Sequence, residues 1–327
     1  MNIGILGAGN IANKMAKTIL EVDEAVAYAV ASRDINKALA FKEKYGFEKA
    51  YDSYEEMLAD ENVELVYIAT THNFHYEQAK MCLLAGKHVL CEKSFTITAS
   101  EARELCKISQ EKNLLLAEAM WTRYLPICTT LKEVIKNGEI GEVSSMFSNF
   151  GFNANGKGRL WDPALGGGTM LDLGVYVINT ARIVFDEDIK KIVSVAEVNE
   201  EGIDYIDNMI IQFEGHKSAM LHSSQVAIMS SKVEIYGSEG YIEMGSLPNP
   251  SSIKVFLKQK GLVKTYERPE QITGFEYELI ACINAIKAGK FEVEEMPHKE
   301  MIYIMELMEN LINEWRETAS STVEIDV

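Results

Sequence analysis

The side chains in this sequence best placed to hold or move a proton lie at a strand end and just after a glycine turn. Glu92-Lys93-Ser94 follows Lys87 to Cys91, a short apolar run that reads as a buried strand. On an ordinary surface, Glu beside Lys is an ion pair of little consequence. At the carboxyl end of a parallel strand, the same ammonium faces the region where open α/β sheets bind ligands. Farther along, Leu165-Gly166-Gly167-Gly168-Thr169-Met170-Leu171-Asp172-Leu173-Gly174-Val175-Tyr176 is a glycine turn entering a helix. Asp172 and Tyr176 are four apart and share one helix face, a carboxylate and a phenol suited to acid–base work. The same letters also read structurally. Thr169-x-x-Asp172 has the form of a capping box, and Tyr176 could be a core ring with its hydroxyl at the rim.

The opening of the chain supplies a place for a partner reagent. Ile3 to Leu6 is an apolar run that stops at Gly7-Ala8-Gly9, and a helical pattern follows with Ile11, Met15, Ile19 and Leu20. This is the dinucleotide fingerprint in its G-x-G-x-x-A form. Gly7 permits the tight turn, Gly9 lets the backbone approach a pyrophosphate, and Ala12 allows close helix–strand packing. The helix start at Asn10 and Ile11 offers unpaired N–H groups and a positive dipole end to the phosphates.

The next strand, Ala25 to Ser32, ends in Ser32-Arg33-Asp34. An NAD site ordinarily carries an acid there for the ribose hydroxyls. A hydroxyl and a guanidinium suit a 2′-phosphate instead, so NADP is favoured over NAD. Asp34 keeps NAD open if the strand ends one residue later. After the strand Leu65 to Ala69 come Thr70, Thr71 and His75, again at a carboxyl strand end, where polar residues reach a ligand or simply begin a helix.

The elements that must position these groups form two blocks. Helices at Ile35 to Tyr45, from His75 to Ala85, and from Thr98 or Ser100 to Lys112 alternate with short apolar strands, the pattern of a doubly wound parallel sheet over residues 1–120. Beyond Trp121 the chain turns mostly to strands: Val143 to Phe152, Lys190 to Val198, Asn208 to Phe213, Ser218 to Ser224, Lys232 to Tyr236 and Ile253 to Leu257. Glu214-Gly215 and Ser238-Glu239-Gly240 read as hairpin turns, which predicts an α+β domain over 121–327 with a mostly antiparallel sheet. Met209-Ile210-Ile211 is apolar on both strand faces, so the sheet's second face is expected to be covered as well.

A net charge of -17 excludes nucleic acid and anionic membranes as partners. No apolar run is long enough to span a membrane, and nothing at the start resembles a signal peptide. Five cysteines without paired spacing suit a reducing cytoplasm, and scattered histidines predict no metal.

The glycine turn, the Glu92-Lys93 strand end and the glycine-led helix bearing Asp172 together resemble the Gfo/Idh/MocA oxidoreductase family. Glu118-Ala119-Met120-Trp121-Thr122-Arg123-Tyr124-Leu125-Pro126 and Leu171-Asp172-Leu173-Gly174-Val175-Tyr176 resemble its dihydrodiol and NADP-linked D-xylose dehydrogenase branch. The resemblance implies a Rossmann domain followed by an open-faced sheet used for oligomer contacts, and hence a homodimer or higher homo-oligomer. It implies NADP-dependent hydride transfer to or from a carbinol or carbonyl carbon of a sugar, cyclic polyol or vicinal diol. Gly7, Gly9, Asn10, Ile11, Ser32, Arg33, Thr70, Thr71, His75, Glu92 and Lys93 are then cofactor-binding residues. Lys93, Tyr176 and Asp172 are catalytic, and Trp121, Asp172 and Tyr176 meet the substrate. A tyrosine with an ordinary pKa near ~10 is a poor base at neutral pH, and a neighbouring ammonium such as Lys93 lowers it. The family also contains NAD-dependent glycoside-cleaving members and catalytically silent regulators. One departure stands out: Ser94 occupies the place of the family's proline and leaves the loop that aims Lys93 without a fixed φ.

Overall fold

The structure, a computed structural model, describes residues 1–320; residues 321–327 of the expected second domain lie outside the described residues. In chain order the elements of the first half are β1 (Asn2–Leu6), α1 (Asn10–Glu21), β2 (Val26–Ala31), α2 (Ile35–Tyr45), β3 (Lys49–Tyr51), α3 (Tyr54–Ala59), β4 (Leu65–Ile68), α4 (His72–Leu84), β5 (His88–Glu92), α5 (Ala99–Lys112) and β6 (Leu116–Ala119). Next come α6 (Pro126–Lys136), β7 (Val143–Gly151), a π-turn (Met170–Gly174) and α7 (Val175–Val184). The remaining strands are β8 (Ile189–Val198), β9 (Asp204–Phe213), β10 (Lys217–Ser224), β11 (Val233–Gly237), β12 (Gly240–Met244), β13 (Ser252–Leu257) and β14 (Gly261–Glu267), followed by α8 (Glu276–Lys287) and α9 (His298–Ser320).

The chain forms two compact units, one of Met1–Tyr124 with Glu270–Met305 and the other of Leu125–Pro269 with Glu306–Val327. In the first, six parallel strands run in the order β3-β2-β1-β4-β5-β6, the doubly wound arrangement with its switch point between β1 and β4. Past their first residues β1, β4, β5 and β6 are buried on both faces, as their apolar runs require. Local signals set the helix ends: Gly46 closes α2 at φ 72°, and Thr98 with Glu101 forms a capping box on α5.

The span expected as one second domain is divided between the units. Residues 270–305 return to the first because they extend its hydrogen bonding: Leu116 N donates to Phe291 O at 3.0 Å, and the His298 ring meets Leu116 O at 3.0 Å. The strands β3, β12 and β14 went unpredicted; β3 is three residues long and β14 is largely exposed.

In the second unit an eight-stranded sheet runs β14-β13-β12-β11-β7-β10-β9-β8. Every pairing is antiparallel except that of β10 with β7. The helices α6 and α7 pack on one face, over Met146, Met209, Ile211, Ala219, Leu221, Ile235 and Val255. The opposite face is open within the chain: Val193, Val195, Ile210 and Met220 are exposed, and Val193, Ile210 and Met220 lie directly across from one another on neighbouring strands. The expected second cover therefore does not come from the described residues.

Candidate active site

In the first unit the candidate residues gather along the carboxyl ends of the parallel strands. Gly7 follows β1 with φ 95°, where a side chain would press on Ala69 O at 3.1 Å. Gly9 is the N-cap of α1 and supplies no side-chain cap, so the first amides of the helix, around Asn10 and Ile11, are left for a ligand. A Cβ at Gly9 would meet nothing within 4 Å. An uncapped helix start beneath open space fits the pyrophosphate of a dinucleotide.

At the end of β2, Ser32 is buried and its Oγ accepts the Asp34 N–H at 3.3 Å. Arg33 is exposed and lies over the Phe74 ring, 4.9 Å from its centroid. Asp34, the alternative ribose ligand, caps α2 by accepting the Asn36 N–H at 3.0 Å. A guanidinium thus stands at the strand end, and the carboxylate that follows it caps a helix.

The loops after β4 and β5 are joined by His75. Its ring is fully buried, with Nδ1 2.9 Å from Ser94 O and Nε2 3.2 Å from Thr70 O. It therefore braces two ligand-side loops from beneath. Thr70 bonds to Gln78 at 2.7 Å, and Thr71 precedes α4 and bonds to Asn73 at 2.6 Å. Glu92 ends β5 in the interior, where its carboxylate accepts from the Tyr67 hydroxyl. Lys93 follows, and the Lys93–Ser94 peptide is cis. Where the family proline would fix φ, this loop is held by hydrogen bonds: Ser94 O to His75, and Phe95 N to Glu118 Oε1 at 3.1 Å.

Glu118 was missed from the sequence because its strand, β6, reads as plain core. It is buried, and burial pushes its carboxyl up to about 7 against the pull of Arg123, the Phe95 N–H and Lys93. Trp121, just beyond β6, stacks on Phe275 with centroids 4.7 Å apart and planes 3° from parallel. Gly274 makes room, since a side chain there would strike the indole at 2.8 Å. Glu276 ties this turn by accepting the N–H groups of Ile272, Thr273 and Gly274 at 2.8, 3.0 and 2.7 Å. Thr273 then meets Thr18 of α1 at 2.6 Å. Nothing in local spacing could have joined residues so far apart in the chain.

The second unit carries the carboxylate and the phenol. Asp172 is buried within the π-turn, and its Oδ1 accepts from Arg159 Nη2 at 2.6 Å. Arg159 belongs to the loop 153–162, whose shape the sequence did not reveal. Tyr176 is buried in the first turn of α7, its ring edge-on to Phe150 at 5.3 Å. The capping-box reading of Thr169 and Asp172 is corrected: Thr169 makes no side-chain cap bond. The Met170 N–H goes instead to Asp204 Oδ2 on β9 at 2.6 Å. Asp172 is drawn to Arg159 because a buried carboxylate gains more from a guanidinium than from an amide.

Residues 1–120 match the model of an oxidoreductase family with an NAD-binding Rossmann fold, and residues 128–243 match the GFO/IDH/MocA C-terminal domain. The mouse trans-1,2-dihydrobenzene-1,2-diol dehydrogenase is 31% identical over 94% of both chains. The chain belongs to the Gfo/Idh/MocA oxidoreductase family. As a member it is an NAD(P)-dependent oxidoreductase. Another Gfo/Idh/MocA relative, the D-xylose 1-dehydrogenase (NADP(+)) of Hypocrea jecorina, is 32% identical, covering 99% of this chain and 94% of its own. Two solved structures share the fold. A 3-ketoreductase from Actinomadura kijaniata in complex with NADP and TDP-benzene aligns with TM-score 0.85 at 23% identity, covering 94% and 95% of the two chains. Levoglucosan dehydrogenase with NADH and levoglucosan aligns with TM-score 0.87 at 19% identity over 98% of each. No helix among the described residues is long and apolar enough to cross a membrane.

Proposed function

We propose that this chain is an NADP-dependent dehydrogenase or reductase acting at a carbinol or carbonyl carbon of a sugar, cyclic polyol or vicinal diol. The observation that carries the reading is the β2 end, where Arg33 is exposed while Asp34 is engaged as a helix cap. That arrangement supports a 2′-phosphate over a 2′-hydroxyl. The names of the dihydrodiol and xylose dehydrogenase relatives support the substrate class.

The backbone around Gly7, Gly9, Asn10 and Ile11 would hold the pyrophosphate, Ser32 and Arg33 the 2′-phosphate, and Thr70, Thr71 and Glu92 the rest of the nucleotide. When bound, the nicotinamide accepts or donates the hydride. The chain's own residues supply the rest. Lys93 would serve as the cation beside the nicotinamide and Tyr176 as the proton-exchanging group, and Asp172 and Trp121 would each contribute to orienting the substrate. The Arg159 guanidinium, 2.6 Å from Oδ1, holds the Asp172 carboxyl in one orientation for hydrogen bonding to substrate hydroxyls.

A panel of aldoses, cyclic polyols and vicinal diols, followed by nicotinamide absorbance with NADP and NAD in parallel, tests this. Turnover with NADP on at least one panel member is the expected result. Tightly bound nucleotide with glycoside cleavage and no net redox change would replace the reading. So would nucleotide binding without any turnover.

We also propose a cytoplasmic homodimer joined through the open sheet face. Supporting it are the exposed row Val193, Ile210 and Met220, and cysteines that are buried and free, as a reducing compartment leaves them. Ile210→Glu should convert the assembly to monomer in ultracentrifugation. A parent protein that already sediments as a monomer contradicts the proposal.

A further inference from the structure

The glycines around the Asp172 turn are explained by a buried feature beneath them. A side chain at Gly168, whose φ is 127°, would collide with Asp204 Oδ1. One at Gly174 would come within 3.3 Å of Ser223 Oγ and 3.4 Å of Asp207 Oδ2. Asp204 and Asp207 both lie on β9, and they are 2% and 0% exposed. Asp204 Oδ2 accepts the first amide of the π-turn, Met170 N, at 2.6 Å. Asp207 Oδ2 accepts from Ser223 Oγ at 2.9 Å.

Asp207 Oδ1 is wholly buried and meets no donor. The group beside it is the Asp204 carboxyl, and burial with that neighbouring charge holds the Asp207 carboxyl well above the usual carboxylate range. Two adjacent carboxylates away from water cannot both be ionised. A single proton removes both difficulties. Protonated Asp207 donates from Oδ1 to Asp204, and Asp204 stays anionic at a helix start, where negative charge is favoured.

The surroundings offer little else to balance a second charge. Arg316 on α9 is the cation that Asp204 feels, and its Nε is engaged with Gly202 O at 2.9 Å. From β10 come the Ser223 hydroxyl on the Asp207 carboxyl and the His222 ring, whose Nδ1 lies 3.1 Å from the Asp207 backbone carbonyl; on the packed turn Asp172 is bonded to Arg159.

We propose that Asp204 and Asp207 share one proton and act as positioning residues, clamping the start of the π-turn and so fixing Asp172 and Tyr176. The inference rests on the roles given above to Asp172 and Tyr176. It assigns the pair no contact with substrate.

The test compares Asp207→Asn, Asp207→Ala and Asp204→Ala with the parent. Asparagine brings its own N–H in place of the shared proton: its amide oxygen accepts from Ser223 and its Nδ2 donates to Asp204. Isotope-edited infrared difference spectra of parent against Asp207→Asn at neutral pH should show the carbonyl band of a protonated carboxyl in the parent. Both alanine variants should lose kcat by about 10²-fold through misplaced side chains, with NADPH affinity unchanged. Asp207→Asn should recover most of the loss seen in Asp207→Ala.

Melting against pH gives a readout independent of activity. The folded parent keeps a proton that the unfolded chain releases, so its stability falls as pH rises from the ordinary aspartate range through the raised folded pKa. The stability of Asp207→Asn relative to parent should therefore climb over that window. A missing carboxyl band, or a stability difference flat with pH, overturns the shared proton. Parental kcat in Asp204→Ala overturns the positioning role. If the substrate panel fails, the infrared and melting arms still decide the shared proton.

Discussion

On the roles proposed above, the two units would meet their ligands in opposite ways. In the first, the groups offered are mostly backbone and strand-end residues: the Gly7–Gly9 turn, the uncapped start of α1, Arg33 and Lys93. The glycine turn and helix start are set within a few residues of each group, while the Lys93 loop is braced from His75 and Glu118. In the second, the groups are two side chains on one helix, and distant parts of the chain hold that helix in place. Asp204 holds its first amide, Arg159 its carboxylate, and Phe150 the ring of Tyr176. On these proposed roles, recognition of the cofactor at the glycine turn is written locally, whereas the proposed acid–base chemistry depends on long-range packing. The two should fail separately when mutated.

The largest expected effect is on the helix-borne side. Tyr176→Phe keeps the ring against Phe150 and removes only the proton, so kcat should fall by about 10²–10⁴-fold, with NADPH affinity and melting temperature close to parent. Lys93→Met should also depress kcat, and the double variant should lose much less than the product of the two if both serve one proton. Near-parental turnover of Tyr176→Phe would remove tyrosine as the acid–base group.

Glu118 tests whether the strand-end side is purely local. Its carboxyl, pushed up to about 7 by burial, binds a proton in the folded state that the unfolded chain releases above its ordinary pKa. Stability should fall as pH rises from the unfolded glutamate range through about 7, and level off above. Glu118→Gln removes that slope, so its stability relative to parent should rise across the window by up to about 3 kcal/mol. Thermal melts in buffers spanning the window measure it, and a constant difference would show that Glu118 is ionised throughout.

The smallest effect is the most selective. Arg33→Ala should weaken NADP binding by roughly 1.5–3 kcal/mol and leave NAD binding and kcat nearly unchanged. Calorimetric titration of both nucleotides checks it, and equal parental affinity for the two would remove Arg33 from the site.

The same contrast explains what was legible in the sequence. The Rossmann half could be read because each signal is local: the apolar run before Gly7, the αL glycine at Gly46, the capping residue Thr98. The helix of Asp172 and Tyr176 was visible from its glycines, but not what those glycines clear, since Asp204 lies on a separate strand. Arg159 looked like any loop arginine. Phe275 gave no sign of its partner, and only the fold stacks it on Trp121. Asp34 shows the converse, since a residue chemically able to bind ribose is engaged by a helix cap that its own strand end dictates.

The burial of every cysteine turns the protein into its own stopwatch. Cys82, Cys91, Cys106 and Cys282 lie in the first unit and Cys128 in the second, all shielded from solvent. Burial also raises the first four thiols, Cys106 to about 12, so none is a ready thiolate near neutral pH. An alkylating reagent added to the native enzyme can react only during excursions that open the structure. Mass spectrometry of the labelled peptides would then time the breathing of each unit separately, with four reporters on one side and a single reporter on the other.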